Sequence, residues 1–278
     1  MKTFELINLG SNYLKDRSIL SSRLDSEIIL SHIIGISRER LLITEKDINQ
    51  DKIKEFKSLI YRRSKNEPIA YIIKNKEFRS TKFFVNKDAL IPRPETELLI
   101  DPIISIFKRR NLFFLDIGIG TGCIIFSILK ELQHSRAIGI DKSKQTIICA
   151  KKNLTDFKLK NRAKLMHRTA EKFFAYKFDL IVSNPPYIVN RDFRRLSKDI
   201  TSYEPRSALD GGNDGLDVLR KVIYKSRSLL KTDGILALEI GTGQFKQVNK
   251  ILSNNKFKIK KIIKDYKNNI RCIFSTLL

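Results

Sequence analysis

The chain has 278 residues, of which 42% are hydrophobic, and this allows one large domain or a large domain with a smaller companion. No apolar run approaches the roughly 20 residues that a membrane-spanning helix needs, and the charged N-terminus does not resemble a secretion signal. The three cysteines and three histidines lie far apart, without the spacing of metal ligands. We therefore expect a cytoplasmic protein with no metal and no membrane partner.

The net charge of +24 has two interpretations. One is a polyanionic partner, such as nucleic acid or the ribosome. The other is a lysine-rich surface whose extra charges are simply solvated. The lysines are dispersed along the whole chain and form no single basic tract, which favours the second interpretation without excluding the first.

The first 67 residues are predicted to form a small helical bundle. Apolar residues recur there at helical spacing, most clearly in "DKIKEFKSLIYRRSK", where they are Ile53, Phe56, Leu59 and Ile60. Gly35 is expected to end the helix before it, and no cluster of candidate active-site residues lies in this part. These features suggest a module that binds or positions a partner.

Residues 68–90 are predicted to form a β-hairpin that links two domains. The segments "IAYIIKNKEF" and "TKFFVN" are short and rich in β-forming residues, and Lys74 and Asn75 are a plausible turn between the first two apolar runs. The next segment, "ALIPRPETELLIDPIISIF", combines prolines with a helical run. Pro94 suits the first turn of a helix, and the glutamates that follow it complement the positive end of that helix.

From about residue 112 strand-like and helix-like segments alternate. The runs "LFFLDIG", "AIGID", "KLMHR", "FDLIVSN" and "GILALEIG" are strand-like, and helical stretches lie between most of them. Such alternation implies right-handed crossovers and a mostly parallel sheet, so residues 91–278 are predicted to form an α/β domain. The C-terminal "FKIKKIIKDYKNNIRCIFSTLL" predicts a hairpin at the edge of that sheet.

A glycine-rich loop follows the first strand of this α/β region, in "LDIGIGTGCI". Glycines let the backbone approach a ligand closely, and the N–H groups of the next helix can meet negative charge. The second strand ends on Asp141, whose carboxylate can accept both hydroxyls of a ribose. Together with an acidic residue before the glycines, this suits a nucleoside with a cationic amino-acid tail, such as S-adenosylmethionine. The alternative is a glycine-rich turn with an aspartate N-cap. The predicted cofactor-binding residues are Asp116, Gly118, Ile119, Gly120, Thr121, Gly122 and Asp141.

A second candidate site is the segment "NPPYI", directly after the strand "FDLIVS". Proline cannot donate to a sheet, so the strand ends here, and by the order of elements it should neighbour the glycine-loop strand. Asn184 would then face the reactive end of the cofactor. Its side-chain carbonyl and the backbone carbonyl of Pro185 could bind both hydrogens of a planar NH₂ group, with Pro186 stiffening the loop and Tyr187 stacking on the substrate.

These four residues are the predicted substrate-binding set, and Asn184, Pro185 and Tyr187 are the predicted catalytic residues. No general base is evident, because an amide nitrogen becomes acidic only once it is methylated. The alternative is a Pro-Pro turn that merely ends a buried strand.

Four motifs, "DIGIGTG", "NPPYI", "IPRPETE" and "YEPRSALDGGNDGLDVLR", together resemble the protein-(glutamine-N5) methyltransferases of peptide chain release factors, the HemK/PrmC family. The resemblance implies a Rossmann-like, seven-stranded S-adenosylmethionine-dependent domain of class I, preceded by a helical bundle and a hairpin linker. It also implies methylation of the glutamine in the Gly-Gly-Gln loop of class I release factors, with S-adenosylhomocysteine as product. Arg168 and Thr169 stand where family members usually carry an acidic-aromatic pair, and Thr169 and Asn184 complete the predicted cofactor set.

Parts of the sequence are also compatible with other functions. An amino-methyltransferase acting on nucleic-acid bases shares Asn-Pro-Pro-Tyr, and the high net charge keeps it open. Residues 1–48 carry seven basic and seven acidic side chains, however, which favours a protein partner for the bundle. A non-catalytic cofactor-binding protein would be expected to lose Asn184 or the glycine loop, and Cys123 at the third glycine of the dinucleotide pattern argues against a dehydrogenase. A monomer that does not require nucleic acid is expected.

Overall fold

The structure, a computed structural model, describes residues 1–174 and 176–278. The described chain divides into two compact units. The smaller unit comprises Met1–Asn75 together with Ser197–Tyr203, and the larger unit comprises Lys76–Leu196 and Glu204–Leu278. The division by function predicted from the sequence, into 1–67, 68–90 and 91–278, stays a prediction.

The helices are given in chain order. The α-helices are α1 (Thr3–Lys15), α2 (Ser22–Ile34), α3 (Arg38–Leu42), α4 (Gln50–Ser64), α5 (Ile69–Ile72), α6 (Ile100–Phe107), α7 (Cys123–Glu131), α8 (Lys144–Asp156), α9 (Lys198–Tyr203), α10 (Asp217–Leu229) and α11 (Phe245–Asn254). Short 3₁₀ helices span Pro94–Leu99, Asn190–Arg195 and Arg206–Ala208.

The strands form a two-stranded and a seven-stranded sheet. They are β1 (Asn75–Phe78), β2 (Thr81–Phe84), β3 (Phe113–Ile117), β4 (Arg136–Asp141), β5 (Ala163–His167), β6 (Phe178–Ser183), β7 (Leu230–Glu239), β8 (Phe257–Lys264) and β9 (Ile270–Leu277).

The smaller unit is helical, as predicted. Its helices enclose a core in which Leu6, Leu30 and Phe56 have no exposed surface. Capping residues mark the ends of these helices. The side-chain oxygen of Asn49, the N-cap of α4, accepts the N–H of Lys52 at 3.0 Å. Gly35 ends α2 with φ of +77°, which confirms the predicted helix end.

The hairpin is formed by β1 and β2 and begins at Asn75, after the apolar run that the sequence suggested as its first strand. Residues 69–72 form helix α5 behind Pro68, whereas a β-rich run was expected there. The strands β1 and β2 are joined by Arg79 and Ser80, whose φ values are +49° and +54°. The predicted turn at Lys74 and Asn75 is therefore wrong. Lys74 does adopt a positive φ of +53°, but it lies between α5 and β1.

The large sheet has the strand order β5-β4-β3-β6-β7-β9-β8. Strands β3 to β7 are parallel, while β9 runs antiparallel to β7 and β8 antiparallel to β9. This confirms the Rossmann-like, seven-stranded α/β prediction and the C-terminal hairpin at the sheet edge. It also confirms that the strand before Asn184 neighbours the glycine-loop strand, since β3 pairs with β6.

Helices cover both faces of this sheet. Successive residues of a strand point to opposite faces, and apolar residues on both faces pack against helices. On one face Phe114 and Leu180 pack with residues of α6, α7 and α8. On the other face Leu115 and Ile181 pack with residues of α10 and α11. Among the described residues no helix is both long and apolar enough to cross a membrane.

Candidate functional site

A cavity of about 270 Å³ lies at the carboxyl ends of β3, β4 and β6, where Ile117, Asp141 and Ser183 reach its wall. Strand β4 lies on one side of β3 and β6 lies on the other, so the strand order reverses here. In open α/β sheets ligands bind at such a switch point. The topology therefore makes this cavity the candidate site.

The loop between β3 and α7 forms one wall of the cavity. Gly118 and Gly120 have φ values of +78° and +56°, which residues with a Cβ rarely adopt. No atom lies within 4 Å of the place where a Cβ would stand on either glycine, so a ligand can approach bare backbone. The N–H groups of Gly118 and Ile119 donate to the carbonyl of Ile140 at 2.9 and 3.0 Å, which holds the loop against β4.

Asp141, at the end of β4, lines the same cavity. Its Oδ2 accepts the N–H of Gly120 at 3.3 Å, and its Oδ1 accepts the N–H of Ser143 at 2.9 Å. Burial raises the pKa of this carboxyl, and the two hydrogen bonds act against that rise. A carboxylate can accept about four hydrogen bonds, so Asp141 retains capacity for the hydroxyls of a ligand.

Two buried polar side chains beside the glycine loop have no hydrogen-bond partner among the described residues. They are Asp116, which is fully buried, and Thr121, of which 1% is exposed. Burial, with a smaller effect from the charge of Asp141, raises the pKa of Asp116 to about 8. Buried polar groups in native proteins are nearly always paired, so the Thr121 hydroxyl on the cavity wall is suited to a polar ligand. Asp116 is not one of the residues that line the cavity.

Gly122 does not line the cavity, and its lack of a side chain leaves room for the ring of Phe126. It is the N-cap of α7 with φ of +84°, and a Cβ there would stand 2.1 Å from the ring of Phe126. Phe126 is fully buried in the core between the sheet and α7. The sequence pattern grouped Gly122 with the other loop glycines, but the structure shows a different steric reason for it.

The Asn-Pro-Pro-Tyr loop begins where β6 ends. The hydroxyl of Ser183 donates to the carbonyl of Ile117 at 2.7 Å and so ties this end of β6 to β3. Asn184, Pro185 and Pro186 then line the cavity. The Nδ2 of Asn184 donates to Oγ1 of Thr96 at 3.0 Å, and its Oδ1 has no hydrogen-bond partner among the described residues. The loop therefore offers an amide carbonyl as an open acceptor.

Tyr187 is not one of the residues that line the cavity. Its hydroxyl lies 3.3 Å from Oε1 of Glu239 and accepts an N–H of Arg271 at 3.1 Å. Burial raises the pKa of this phenol to about 12, with the charge of Glu239 acting in the same direction. The hydroxyl of this half-buried tyrosine thus belongs to a polar network with Glu239 and Arg271. The predicted stacking of its ring on the substrate stays a prediction.

Arg168 and Thr169 both line the cavity, after the end of β5. The N–H of Arg168 donates to the carbonyl of Asp141 at 2.9 Å. Nearby, Glu171 forms an ion pair with Lys221 of α10 at 3.1 Å. Arg168 and Thr169 therefore stand on this wall where the family pattern has an acidic-aromatic pair.

The two most restrictive sequence motifs meet at the cavity. Arg93 of "IPRPETE" donates to Oε1 of Glu204, from "YEPRSALDGG", at 2.6 Å. Oε2 of Glu204 accepts the N–H of Ile91 at 3.2 Å. The Glu204 side chain is 2% exposed, so this is a nearly buried ion pair whose arginine lines the cavity.

Three residues of the site were not anticipated from the sequence, namely Thr96, Glu239 and Arg271. They come from the 3₁₀ helix Pro94–Leu99, the end of β7 and strand β9. The available signal was Glu239 itself, a carboxylate at the end of the apolar run "GILALE". A charged residue at the end of an apolar strand is expected to be buried with that strand, and a buried charge needs a partner.

Of the predicted site residues, the structure brings together on the cavity wall Gly118, Ile119, Gly120, Thr121, Asp141, Thr169, Asn184, Pro185 and Pro186. Asp116, Gly122 and Tyr187 adjoin these residues in the chain but lie outside that wall. Within the described part of the chain no group of three histidine, cysteine, aspartate or glutamate residues is arranged to hold a metal ion.

Comparison with known proteins places this chain among methyltransferases. A family model described as the PrmC N-terminal domain matches residues 5–73, and one described as a methyltransferase small domain matches residues 94–203. A release factor glutamine methyltransferase of Geobacter sulfurreducens is 35% identical over 91% of this chain and 89% of its own length. The corresponding protein of Fusobacterium nucleatum is 33% identical over 99% of this chain and 78% of its own length.

Longer relatives are matched as well. A bifunctional methyltransferase of Rickettsia felis is 33% identical over 97% of this chain, which spans 57% of that protein. Among solved structures, a ribosomal protein L11 methylase of Lactobacillus delbrueckii subsp. bulgaricus has a TM-score of 0.51 at 20% identity, covering 68% of this chain and 82% of that chain. The catalytic domain of hMettl16 has a TM-score of 0.56 at 14% identity, covering 70% and 75%. These TM-scores show that the two structures share a fold with this chain, and at such low identities they indicate the fold alone.

Proposed function

Since the chain belongs to the family of release factor glutamine methyltransferases, we propose that it methylates the glutamine of the Gly-Gly-Gln loop in class I peptide chain release factors. The methyl group comes from S-adenosylmethionine and is transferred to the side-chain amide nitrogen, N5. The observation that carries this proposal is the Asn184 amide, whose Nδ2 is bound to Thr96 while Oδ1 remains open at the cavity.

The glycine loop and Asp141 are suited to hold the cofactor. The bare backbone at Gly118 and Gly120 leaves room for it, the Thr121 hydroxyl lacks a partner, and Asp141 can accept ribose hydroxyls. Thr169 and Asn184 complete the proposed set on the cavity wall. Asp116 and Gly122, the other two residues of the predicted cofactor set, lie outside that wall. The cofactor, when bound, supplies an electrophilic methyl group on a sulfonium.

Asn184 and Pro185 are suited to bind the substrate amide. A primary amide carries two N–H hydrogens and a delocalised lone pair, so its nitrogen is a poor nucleophile. The Oδ1 of Asn184 and the backbone carbonyl of Pro185 can each accept one hydrogen, which aims the lone pair at the methyl group. Asparagine is a neutral acceptor, so it does not itself compete for the methyl group. Tyr187 contributes by fixing the loop, and Pro186 stiffens it.

Orientation is the main catalytic effect in this proposal. Holding two bound reactants in line can contribute roughly 7–11 kcal/mol, whereas one neutral hydrogen bond contributes about 1 kcal/mol net. Bound S-adenosylmethionine would supply the methyl carbon to the nitrogen as its sulfur–carbon bond breaks, and S-adenosylhomocysteine would be the product. The nitrogen, now acidic, releases one proton to water. No side chain has to remove a proton before the attack.

The helical unit is proposed to hold the release factor away from the chemistry. Residues 5–73 match the PrmC N-terminal domain, and the first 48 residues carry balanced charge, which suits a protein partner better than a polyanion. The protein is proposed to act in the cytoplasm as a monomer. Methylation of a base amino group in nucleic acid is the second candidate, because the net charge of +24 and the planar-amine site are both compatible with it.

The test is a labelling assay with radioactive S-adenosylmethionine. The acceptors are a class I release factor, its Gln→Ala variant in the Gly-Gly-Gln loop, and structured RNA and DNA under the same conditions. Label on the release factor that is lost in the Gln→Ala variant supports the proposal. Label on nucleic acid alone would overturn it in favour of the second candidate. Asn184→Ala serves as the inactive enzyme, and Asn249→Ala, at an exposed position of α11, serves as the matched control.

A further inference from the structure

A chain of hydrogen bonds joins Asn184 to a fully buried carboxylate. Thr96 donates its hydroxyl hydrogen to Oε2 of Glu239 at 2.6 Å, and Asn184 donates from Nδ2 to Oγ1 of Thr96 at 3.0 Å. Glu239 has no exposed surface and Thr96 is 2% exposed. The three side chains come from the end of β7, the 3₁₀ helix Pro94–Leu99 and the loop after β6. Water therefore has little access to the chain of bonds.

The direction of this chain is fixed by what each group can do. A carboxylate can only accept, and a hydroxyl has one hydrogen to give. Because Thr96 gives that hydrogen to Glu239, its oxygen can only accept from Asn184. The NH₂ of Asn184 must then face Thr96, and its carbonyl oxygen must face the other way. An amide has nearly the same shape in both orientations, so the hydrogen bonds decide between them.

A second set of contacts surrounds the Glu239 carboxyl. Oε1 lies 3.3 Å from the hydroxyl of Tyr187 and 3.4 Å from an N–H of Arg271. Burial raises the pKa of the Glu239 carboxyl, whereas Thr96, Arg271 and Tyr187 act to lower it. The titratable groups that face it are Glu95, Cys123, Tyr187, Arg271 and Cys272. Arg271 is the cation among these groups, and it compensates for a buried negative charge.

We infer that Thr96 and Glu239 are positioning residues that set the orientation of the Asn184 amide, so that its oxygen faces the substrate. With the opposite orientation, the NH₂ of Asn184 would face the NH₂ of the substrate, and neither could accept a hydrogen bond from the other. The inference rests on the proposed function and concerns the same site. Neither residue touches the reacting atoms in this scheme, since both act through Asn184.

Glu239→Gln provides a specific test of direction. Arg271 and Tyr187 need an acceptor at one end of residue 239, so the amide oxygen of the new glutamine goes there. Its NH₂ then points to Thr96. Thr96 accepts that hydrogen bond and gives its own hydrogen to Asn184, which turns the amide of Asn184 around. The substitution thus reverses the chain of bonds while keeping the size of the side chain.

The kinetic experiment compares the full-length protein with Thr96→Val, which removes the hydroxyl at nearly constant volume. We expect kcat to fall about tenfold, as for one hydrogen bond, with KM for the release factor and the affinity for S-adenosylmethionine nearly unchanged. Thr96→Ser should recover most of the lost turnover. Thr155→Val is the matched control, because this exposed threonine on α8 also donates its hydroxyl hydrogen, in its case to the backbone carbonyl of Lys151. An unchanged kcat in Thr96→Val overturns the inference.

A double-mutant cycle separates orientation from general damage. Once Glu239→Gln has reversed the chain of bonds, Thr96 only stabilises the wrong orientation. Thr96→Val should then cause no further loss of kcat in that background. Full additivity of the two losses would show that the residues act independently and would also overturn the inference.

Nuclear magnetic resonance of selectively ¹⁵N-labelled asparagine gives a readout without substrate. The two Nδ2 protons of Asn184, assigned with Asn184→Ala, should differ widely in chemical shift because one is bonded to Thr96. Thr96→Val should shift the signal of the bonded proton and reduce that difference, and an unaltered pair of signals overturns the inference. If the wild-type protein labels no release factor, the proposed function fails, and this spectrum still reports whether the orientation is set as inferred.

Discussion

Gly122→Ala should destabilise the larger unit for two separable reasons. Its φ of +84° is left-handed, and a residue with a Cβ loses about 1–2 kcal/mol in that conformation. The new methyl group would also stand 2.1 Å from the Phe126 ring, which is fully buried and cannot move without displacing the core. Overpacking of this kind costs about 1–3 kcal/mol. The free energy of unfolding should therefore fall by about 2–5 kcal/mol in total.

Gly243→Ala isolates the first of these reasons. Gly243 has a similar φ of +81°, but no atom lies within 4 Å of its Cβ position. Urea unfolding followed by far-ultraviolet circular dichroism suits this protein, which has no tryptophan. With an m value of about 2.5 kcal/mol/M, the midpoint should fall by about 1–2 M for Gly122→Ala and by about 0.5 M for Gly243→Ala. Equal shifts would refute the argument, since they would mean that the Phe126 ring yields freely.

Three further predictions concern the site. Asn184→Ala should lower kcat at least ~100-fold, the scale of one lost preorganised contact. The affinity for S-adenosylmethionine in calorimetry should fall far less, because Asn184 is one of several residues proposed to hold it. Unchanged turnover would remove the role of Asn184. Asp116 has a folded pKa of about 8 against an ordinary 3.8, so the folded state binds the extra proton and stability falls as pH rises between these values. Asp116→Asn should flatten that decline in urea midpoints, and an unaltered slope would contradict this reasoning. Burial also raises the pKa of Glu239, so kcat should fall on the acid side of the pH profile as this carboxyl takes up a proton. Thr96→Val should abolish that fall of kcat at low pH. An identical fall in the variant would assign it to another group.

Much of the fold follows from local patterns in the sequence. The apolar runs of β3 and β6, the glycines after β3 and the prolines after β6 are all features of neighbouring residues. They suffice to predict a parallel sheet and the pairing of β3 with β6. The hairpin was misplaced because Ile69–Ile72 is short and apolar, and periodicity cannot distinguish a short strand from one turn of helix. Packing against the helical core of the smaller unit decides in favour of the helix, as Ile72 is buried there.

The site was only partly predictable for a different reason. Residues that line the cavity through backbone shape, such as Gly118 and Gly120, leave a motif in the sequence. The contacts of Thr96 with Asn184 and Glu239 leave none, because they join positions 88 and 143 residues apart. The hydroxyl contacts of Tyr187 leave no motif for the same reason: its partners lie on β7 and β9, and their proximity depends on the strand order at the sheet edge.

The inclusion of Ser197–Tyr203 in the smaller unit has a consequence for biosynthesis. A ribosome completes Met1–Asn75 first and then makes roughly 120 residues of the larger unit before α9 emerges, which takes roughly 6–24 s at about 5–20 residues per second. During that interval the nascent smaller unit lacks the last of its helices. Its final assembly must wait until most of the large sheet has been synthesised, although five of its helices are encoded at the beginning of the message.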